Sequence, residues 1–222
     1  MREETKTIIF ALGICLVCSI VLAGLASGLK EIQTANQEFD VKRNIVKAFG
    51  IDITPLSRSE IELKYSTHIQ KKTEELLEPI FLGDGNPYSS LSIYTWRDDL
   101  ESEPSKYAFP ISGKGLWSIM YGYLAIDSDM ETIVGISFYA HGETPGLGAE
   151  IVKPWFQDQF KNKKIYNNGN VADFKVLKPG SKNNDYSVDG ISGSTITSKG
   201  VENLLKSDAE TYAKYFFSKI RN

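Results

Sequence analysis

The residues of this chain best suited to chemistry gather in one stretch, Asp189-Gly190-Ile191-Ser192-Gly193-Ser194-Thr195-Ile196-Thr197. Glycine, lacking a Cβ, lets a backbone turn sharply and come close to a ligand. An apolar-periodic run follows from Val201, so the stretch reads as a Gly/Ser/Thr turn feeding a helix N-terminus. Such a turn aims backbone N–H groups and a positive dipole end at one place, which favours an anion such as phosphate. The same residue types also collect at ordinary helix caps. Residue types alone leave both readings open.

Two further clusters could serve a ligand. His141-Gly142-Glu143-Thr144-Pro145-Gly146-Leu147-Gly148-Ala149-Glu150 holds three glycines and a proline. It forms a tight loop at the end of a strand, a usual address for binding residues. Gly113-Lys114-Gly115-Leu116-Trp117 either sets a lysine and a tryptophan beside a ligand or is a loop entering a strand.

Much chemistry is excluded by what the chain lacks. It has two histidines, His68 and His141, and two cysteines, Cys15 and Cys18. Both cysteines fall in an apolar N-terminal run, so no disulfide, cysteine nucleophile or Cys/His zinc cluster is expected beyond it. Cys15 and Cys18 have redox-motif spacing, but inside that run they read as packing or lipid-facing thiols. Ser192 and Ser194 lie in no Gly-x-Ser-x-Gly elbow, which weakens a hydrolase reading. With a net charge of −3, no basic excess exists to neutralise nucleic-acid phosphates. No catalytic residue and no metal ligand is assigned, and nucleic acid is not an expected partner.

The elements that would position these clusters follow from periodicity. Thr7 to Leu29 carries no charged side chain and as a helix spans about 34 Å, sufficient for a bilayer core of about 30 Å. Gly24-Leu25-Ala26 resembles a signal-peptide cleavage site, but the run exceeds the usual h-region and favours a retained anchor. Charges flanking the span slightly favour a cytoplasmic N-terminus. A helix is expected from Lys30 to Phe49, ended by Gly50. A second should open at the capping box Ser57-Arg58-Ser59-Glu60 and run to about Glu78, ahead of Pro79. Strands are expected at Ser90–Trp96, Trp117–Ile126, Thr132–Ala140 and Val171–Leu177, with a hairpin turn at Asp127-Ser128-Asp129. Pro154 should start a helix through about Phe160. An amphipathic helix over Val201–Ile220 closes the chain, capped by Thr197 and Ser198 with Glu202 in its first turn. The expected organisation is an anchor (1–29), a helical region (30–80) and a domain (81–222). The fold class is α+β, an antiparallel sheet flanked by helices on a single span.

Asp189-Gly190-Ile191-Ser192-Gly193-Ser194-Thr195 resembles the flavinylation motif Asp-Gly-x-Ser-Gly-Ala-Thr of bacterial FMN-binding domains, with Ser194 in the alanine's place. The runs Lys114 to Tyr123, Phe138 to Gly148 and Asp40 to Ala48, with the N-terminal span, look like the C subunit of the sodium-translocating NADH:quinone reductase. The related G subunit of the Rnf-type ferredoxin:NAD oxidoreductase shares the flavinylation and Thr-Pro-Gly-Leu-Gly signatures. The resemblance implies one FMN held by a phosphodiester to Thr195, placed there by a flavin transferase. Ser192, Gly193 and Ser194 would cradle the phosphate, following Asp189 at the head of the motif. Trp117, Thr144, Leu147 and Gly148 would contact the ring, and Glu143 would hydrogen-bond the loop or the flavin. It further implies an electron-carrier subunit in the bacterial inner membrane, with the C-terminal domain in the periplasm. NADH oxidation and sodium movement would belong to other subunits, since this chain has no Gly-x-Gly-x-x-Gly and no charged residue in its span. A stand-alone membrane-tethered flavoprotein and a non-redox binding domain are the other classes considered.

Overall fold

The computed structural model describes residues 2–99 and 101–215; the part of the last helix expected at 216–220 lies outside them. The chain forms two compact units, 1–40 and 41–222. Helix α1 spans Glu3–Ala48, and its N-terminal part is long and apolar enough to cross a membrane. Its last turns, in the second unit, bury Ile45, Val46 and Ala48 with the following Phe49. Gly50 then ends the helix at φ 82°, a left-handed conformation that costs glycine little.

Helix α2, Arg58–His68, opens with the expected capping box: Ser57 accepts from the Glu60 amide and Glu60 returns a carboxylate to the Ser57 amide. It ends ten residues before the expected Glu78. Ile69–Phe81 is instead strand β1. Its Lys, Glu and Leu residues are good helix formers, but propensity is a weak prior against tertiary pairing. Strand β2, Pro87–Trp96, supplies that pairing, matching Ile69–Glu75 with Trp96–Ser90. Pro79 falls where the register shifts between Glu75 and Ile80, a place where a missing N–H is tolerated.

Strands β3 (Lys106–Lys114), β4 (Ile119–Asp127) and β5 (Ile133–Ala140) complete an antiparallel sheet in the order β1-β2-β3-β4-β5. Pro110 and Gly113 hid β3 from sequence reading. β2 pairs β3 only through Tyr94–Trp96, so Pro110 sits past the point where the two strands part. Its carbonyl takes the Tyr212 hydroxyl instead.

Strand alternation gives the sheet two buried faces. One carries Phe109, Ile111, Met120, Leu124, Ile126 and Phe138 against Val201, Leu204, Leu205 and Tyr212 of helix α4, Thr195–Tyr215. The other buries Tyr94, Trp96, Ala108 and Tyr123 beside the end of α1. There Trp96 meets Phe49 at 5.6 Å between ring centroids, and the Ser137 hydroxyl donates to the Asn44 carbonyl at 2.8 Å.

After β5 come a 3-10 turn (Gly148–Val152) and helix α3 (Pro154–Gln157), which continues as a 3-10 turn to Phe160. The expected strand Val171–Leu177 is divided. Asn170–Val171 (β7) forms a hairpin with Tyr166–Asn167 (β6), and Lys175–Leu177 (β8) pairs in parallel with Ser187–Asp189 (β9). Helix α4 begins at Thr195, six residues before the expected Val201. Thr197, Ser198 and Glu202 are therefore inside it rather than capping or opening it.

Candidate functional site

The turn from Gly190 to Ser194 is closed by the helix it feeds. The Ser198 hydroxyl accepts from the Ile191 amide at 2.9 Å, and the Ser194 amide donates to the Ile191 carbonyl at 3.0 Å. Gly190 allows this, because a Cβ there would lie 2.9 Å from both the Leu177 carbonyl oxygen and the Ser198 hydroxyl. Gly193 takes φ 75°, again left-handed. Asp189, in β9, is fixed by Gln159, whose Oε1 accepts from its amide at 2.9 Å, and by the Gly180 amide, which donates to its Oδ2 at 3.2 Å.

Helical periodicity then sorts the hydroxyls. Thr197 is 1% exposed, and Ser194 and Ser198 are buried with it, whereas Ser192 and Thr195 stand in solvent. Thr195 lines an open cleft of about 540 Å³ with Lys114, Leu116, Ile196, Lys199 and Asn203, within the usual small-molecule range of about 300–1,000 Å³. Large apolar side chains stay exposed around it: Leu116, Trp117 (70%), Leu147 and Ile196 (60%). Leu147 comes close to the motif itself, since a Cβ on Gly193 would lie 3.2 Å from its Cδ2.

Beneath these groups Glu143, 4% exposed, joins the remaining segments. Thr197 Oγ1 donates to its Oε2 at 2.5 Å, and the amides of Trp117, Leu116 and Ser118 donate at 2.9, 3.2 and 3.4 Å. Burial pushes its carboxyl up, but these four donors outweigh it and hold the group below the ordinary glutamate value. Thr144 is exposed; its carbonyl accepts from the Leu147 and Ala149 amides, both at 3.1 Å, and shapes the turn. Gly148 is buried against Thr197 and Glu143.

The structure thus gathers Thr195, Glu143, Leu147, Gly148 and Trp117 at one end of α4, with Ser192 and Gly193 on its approach. Ser194 turns inward, and Asp189 braces the strand leading to the turn. Sequence reading missed Leu116, Ile196, Lys199 and Asn203 as cleft residues. The offsets 195, 196, 199 and 203 along a helix starting at Thr195 were the available signal.

A flavin mononucleotide suits this surface. Its phosphate would meet a helix N-terminus with Lys114 and Lys199 nearby, and its flat ring matches the exposed Leu116, Trp117, Leu147 and Ile196. The motif carries no Cβ at Gly193, so the backbone there can be approached closely. Among the described residues no cluster of His, Cys, Asp and Glu could hold a metal ion.

The FMN-binding domain family matches residues 115–210, from the cleft loop through most of α4. The chain is 33% identical to the C subunit of a Na(+)-translocating NADH-quinone reductase of Yersinia pestis, over 89% of this chain and 85% of that one. The corresponding C subunit of Vibrio alginolyticus is 34% identical, over 90% and 88%. Among solved structures, the C subunit from Parabacteroides distasonis superposes with a TM-score of 0.69 at 33% identity, covering 86% of this chain and 98% of that one.

Proposed function

The chain belongs to the family of Na(+)-translocating NADH-quinone reductase C subunits, with FMN as its cofactor, and on that premise we propose that it carries the flavin covalently, through a phosphodiester to Thr195. The observation that supports this most directly is the exposure of Thr195 in the cleft while Thr197, two residues on, is buried. Bound there, FMN supplies reversible electron transfer that none of the chain's own side chains offers. The chain's part is to tether, orient and shield. Thr195 provides the ester oxygen, and the turn Ser192-Gly193-Ser194 with the start of α4 receives the phosphate. Leu116, Trp117, Leu147 and Ile196 give the ring an apolar seat while leaving it partly open to redox partners. A phosphate tether fixes a high local concentration of cofactor without altering the ring's own bonding.

In this reading α1 anchors the chain in the bacterial inner membrane with the flavin domain in the periplasm. NADH oxidation and sodium movement reside in other subunits, and a flavin transferase loads Thr195. To test the attachment, the full chain is expressed with a flavin transferase in a bacterial periplasm, denatured and examined for flavin fluorescence in the gel band. The wild type should fluoresce and Thr195→Ala should not; a dark wild-type band overturns the assignment. Gentle solubilisation of native membranes should yield the chain together with NADH:quinone reductase activity. Purification as a lone protein would remove the subunit role.

A further inference from the structure

Glu143 presents an arrangement that attachment at Thr195 does not by itself require. Three segments distant in sequence meet on its carboxylate: the loop 115–118, the loop 142–148 and the first turn of α4. Both flanking glycines are pressed onto it. A Cβ on Gly115 would lie 2.5 Å from Glu143 Oε1, and one on Gly148 would lie 2.6 Å from Thr197 Oγ1 and 2.8 Å from Glu143 Oε2. Residues two apart on a helix point about 200° from each other, at about 100° per residue. Fixing Thr197 inward therefore turns Thr195 outward.

The two threonines also differ in what each has for chemistry. Thr197 has a carboxylate in place to take its proton but no access for a donor. Thr195 has access, but among the described residues no carboxylate or imidazole is hydrogen-bonded to its hydroxyl. We propose that Glu143 is a positioning residue for flavin attachment, holding Thr197 and the 116–118 amides so that Thr195 alone is presented. This rests on the attachment proposed above. In the step itself the Thr195 oxygen attacks the phosphorus of a flavin donor whose phosphate is activated as a pyrophosphate to a nucleotide. The new P–O bond to Thr195 forms and the bridging P–O bond breaks. The nucleotide phosphate leaves with the electron pair, and the hydroxyl proton passes to a base of the transferase.

The test uses the full chain in detergent with purified flavin transferase and flavin adenine dinucleotide, following the rate of modification and mapping the modified residue by peptide mass spectrometry. Thr197→Val should slow modification of Thr195 by about tenfold or more, since misplacing a reacting group by about an ångström costs up to about 100-fold. Thr197→Ser, which keeps the hydroxyl, should react like the wild type. Glu143→Gln should be slowed similarly, and combining it with Thr197→Val should add little, because both break one linkage. The loss should fall on kcat rather than on KM for the transferase. If Thr197→Val melts below the assay temperature, Thr197→Cys, of similar volume and weaker donation, takes its place. Wild-type rates in Thr197→Val overturn the proposal, even with Glu143→Gln slow, since Glu143 would then act without Thr197. A wild type modified elsewhere than Thr195 overturns the attachment reading and this inference with it. A wild type modified at Thr195 alongside unaffected variants overturns the inference alone.

Discussion

Among the buried carboxylates that secure helix α4, Glu143 and Asp208 act at different points along its length and are held in opposite ways. At its start, Glu143 reaches in from a loop and accepts from four donors. Further along, Asp208 belongs to the helix and accepts from two, the Gly83 amide at 2.7 Å and the Ser112 amide at 2.8 Å. Four donors hold Glu143 below its ordinary value. Asp208, 1% exposed, is pushed up to about 7 by burial, which its two amides offset only in part, with the nearby Asp84 adding to the rise. Hydrogen-bond donors and nearby cations hold a buried carboxylate charged, and deep burial and nearby anions oppose them; at Glu143 the donors win, and at Asp208 burial does. The two also join different parts: Glu143 ties the loops 115–118 and 142–148 to the start of α4, and Asp208 ties the helix to Gly83 and to Ser112 of the sheet.

The largest effect is expected from Asp208→Ala. It strands the Gly83 and Ser112 amides, each costing about 1–3 kcal/mol, and should lower stability by about 2–6 kcal/mol in urea melts. Flavin occupancy of the protein that remains folded should stay as in the wild type. A matching loss of flavin in the folded fraction would show that the two ends are not separable.

The pH dependence should differ in sign. With its folded value raised, Asp208 keeps its proton when folded after the unfolded chain has released it. Its contribution is present below about pH 4 and is lost as pH rises toward 7, by up to about 1.4 kcal/mol per pH unit. Glu143, with its value lowered, contributes above the ordinary carboxylate range and loses that as pH falls below it. Asp208→Asn should flatten the wild-type slope between about pH 5 and 7. An unchanged slope would assign it to other groups.

Gly148→Ala acts at the Glu143 end. Its Cβ would intrude on the Thr197–Glu143 hydrogen bond at about 1–3 kcal/mol, typical of overpacking, and flavin loading should fall with it. Equal loading in the variant would mean that bond can shift without consequence. The smallest effect is expected from Ser194→Ala, which restores the alanine usual in the flavinylation motif. Ser194 is buried and its backbone makes the turn's hydrogen bonds, so stability should move by less than about 0.5 kcal/mol, with loading at least as high as the wild type. A clear drop in loading would give the Ser194 hydroxyl a role of its own.

Much of the fold was legible where local chemistry is strong. The capping box at Ser57 and the turn at Asp127-Ser128-Asp129 depend on neighbours in sequence and stand where expected. The three aromatic and β-branched strands needed only their own residues to announce themselves. Strand β1 was not legible because Lys, Glu and Leu favour a helix until β2 offers its ladder. Strand β3 was hidden by Pro110, which is tolerated only because β2 has already diverged. The start of α4 was misplaced because Thr197 and Ser198 look like caps. Their partners, Glu143 and the Ile191 amide, come from the chain's own folding over the helix start.

Residue types alone were enough to place a glycine- and hydroxyl-rich turn ahead of a helix, to put an apolar span before the domain, and to show which family motif the turn resembles. These are matters of residue type and local spacing. Which hydroxyl faces solvent, which carboxylate is held low and which apolar residues stay uncovered beside Thr195 came from the packing of distant segments. Those outcomes depend on how α4 is rotated against the loops at 115–118 and 142–148, and that rotation is set by contacts between residues as far apart as Glu143 and Thr197.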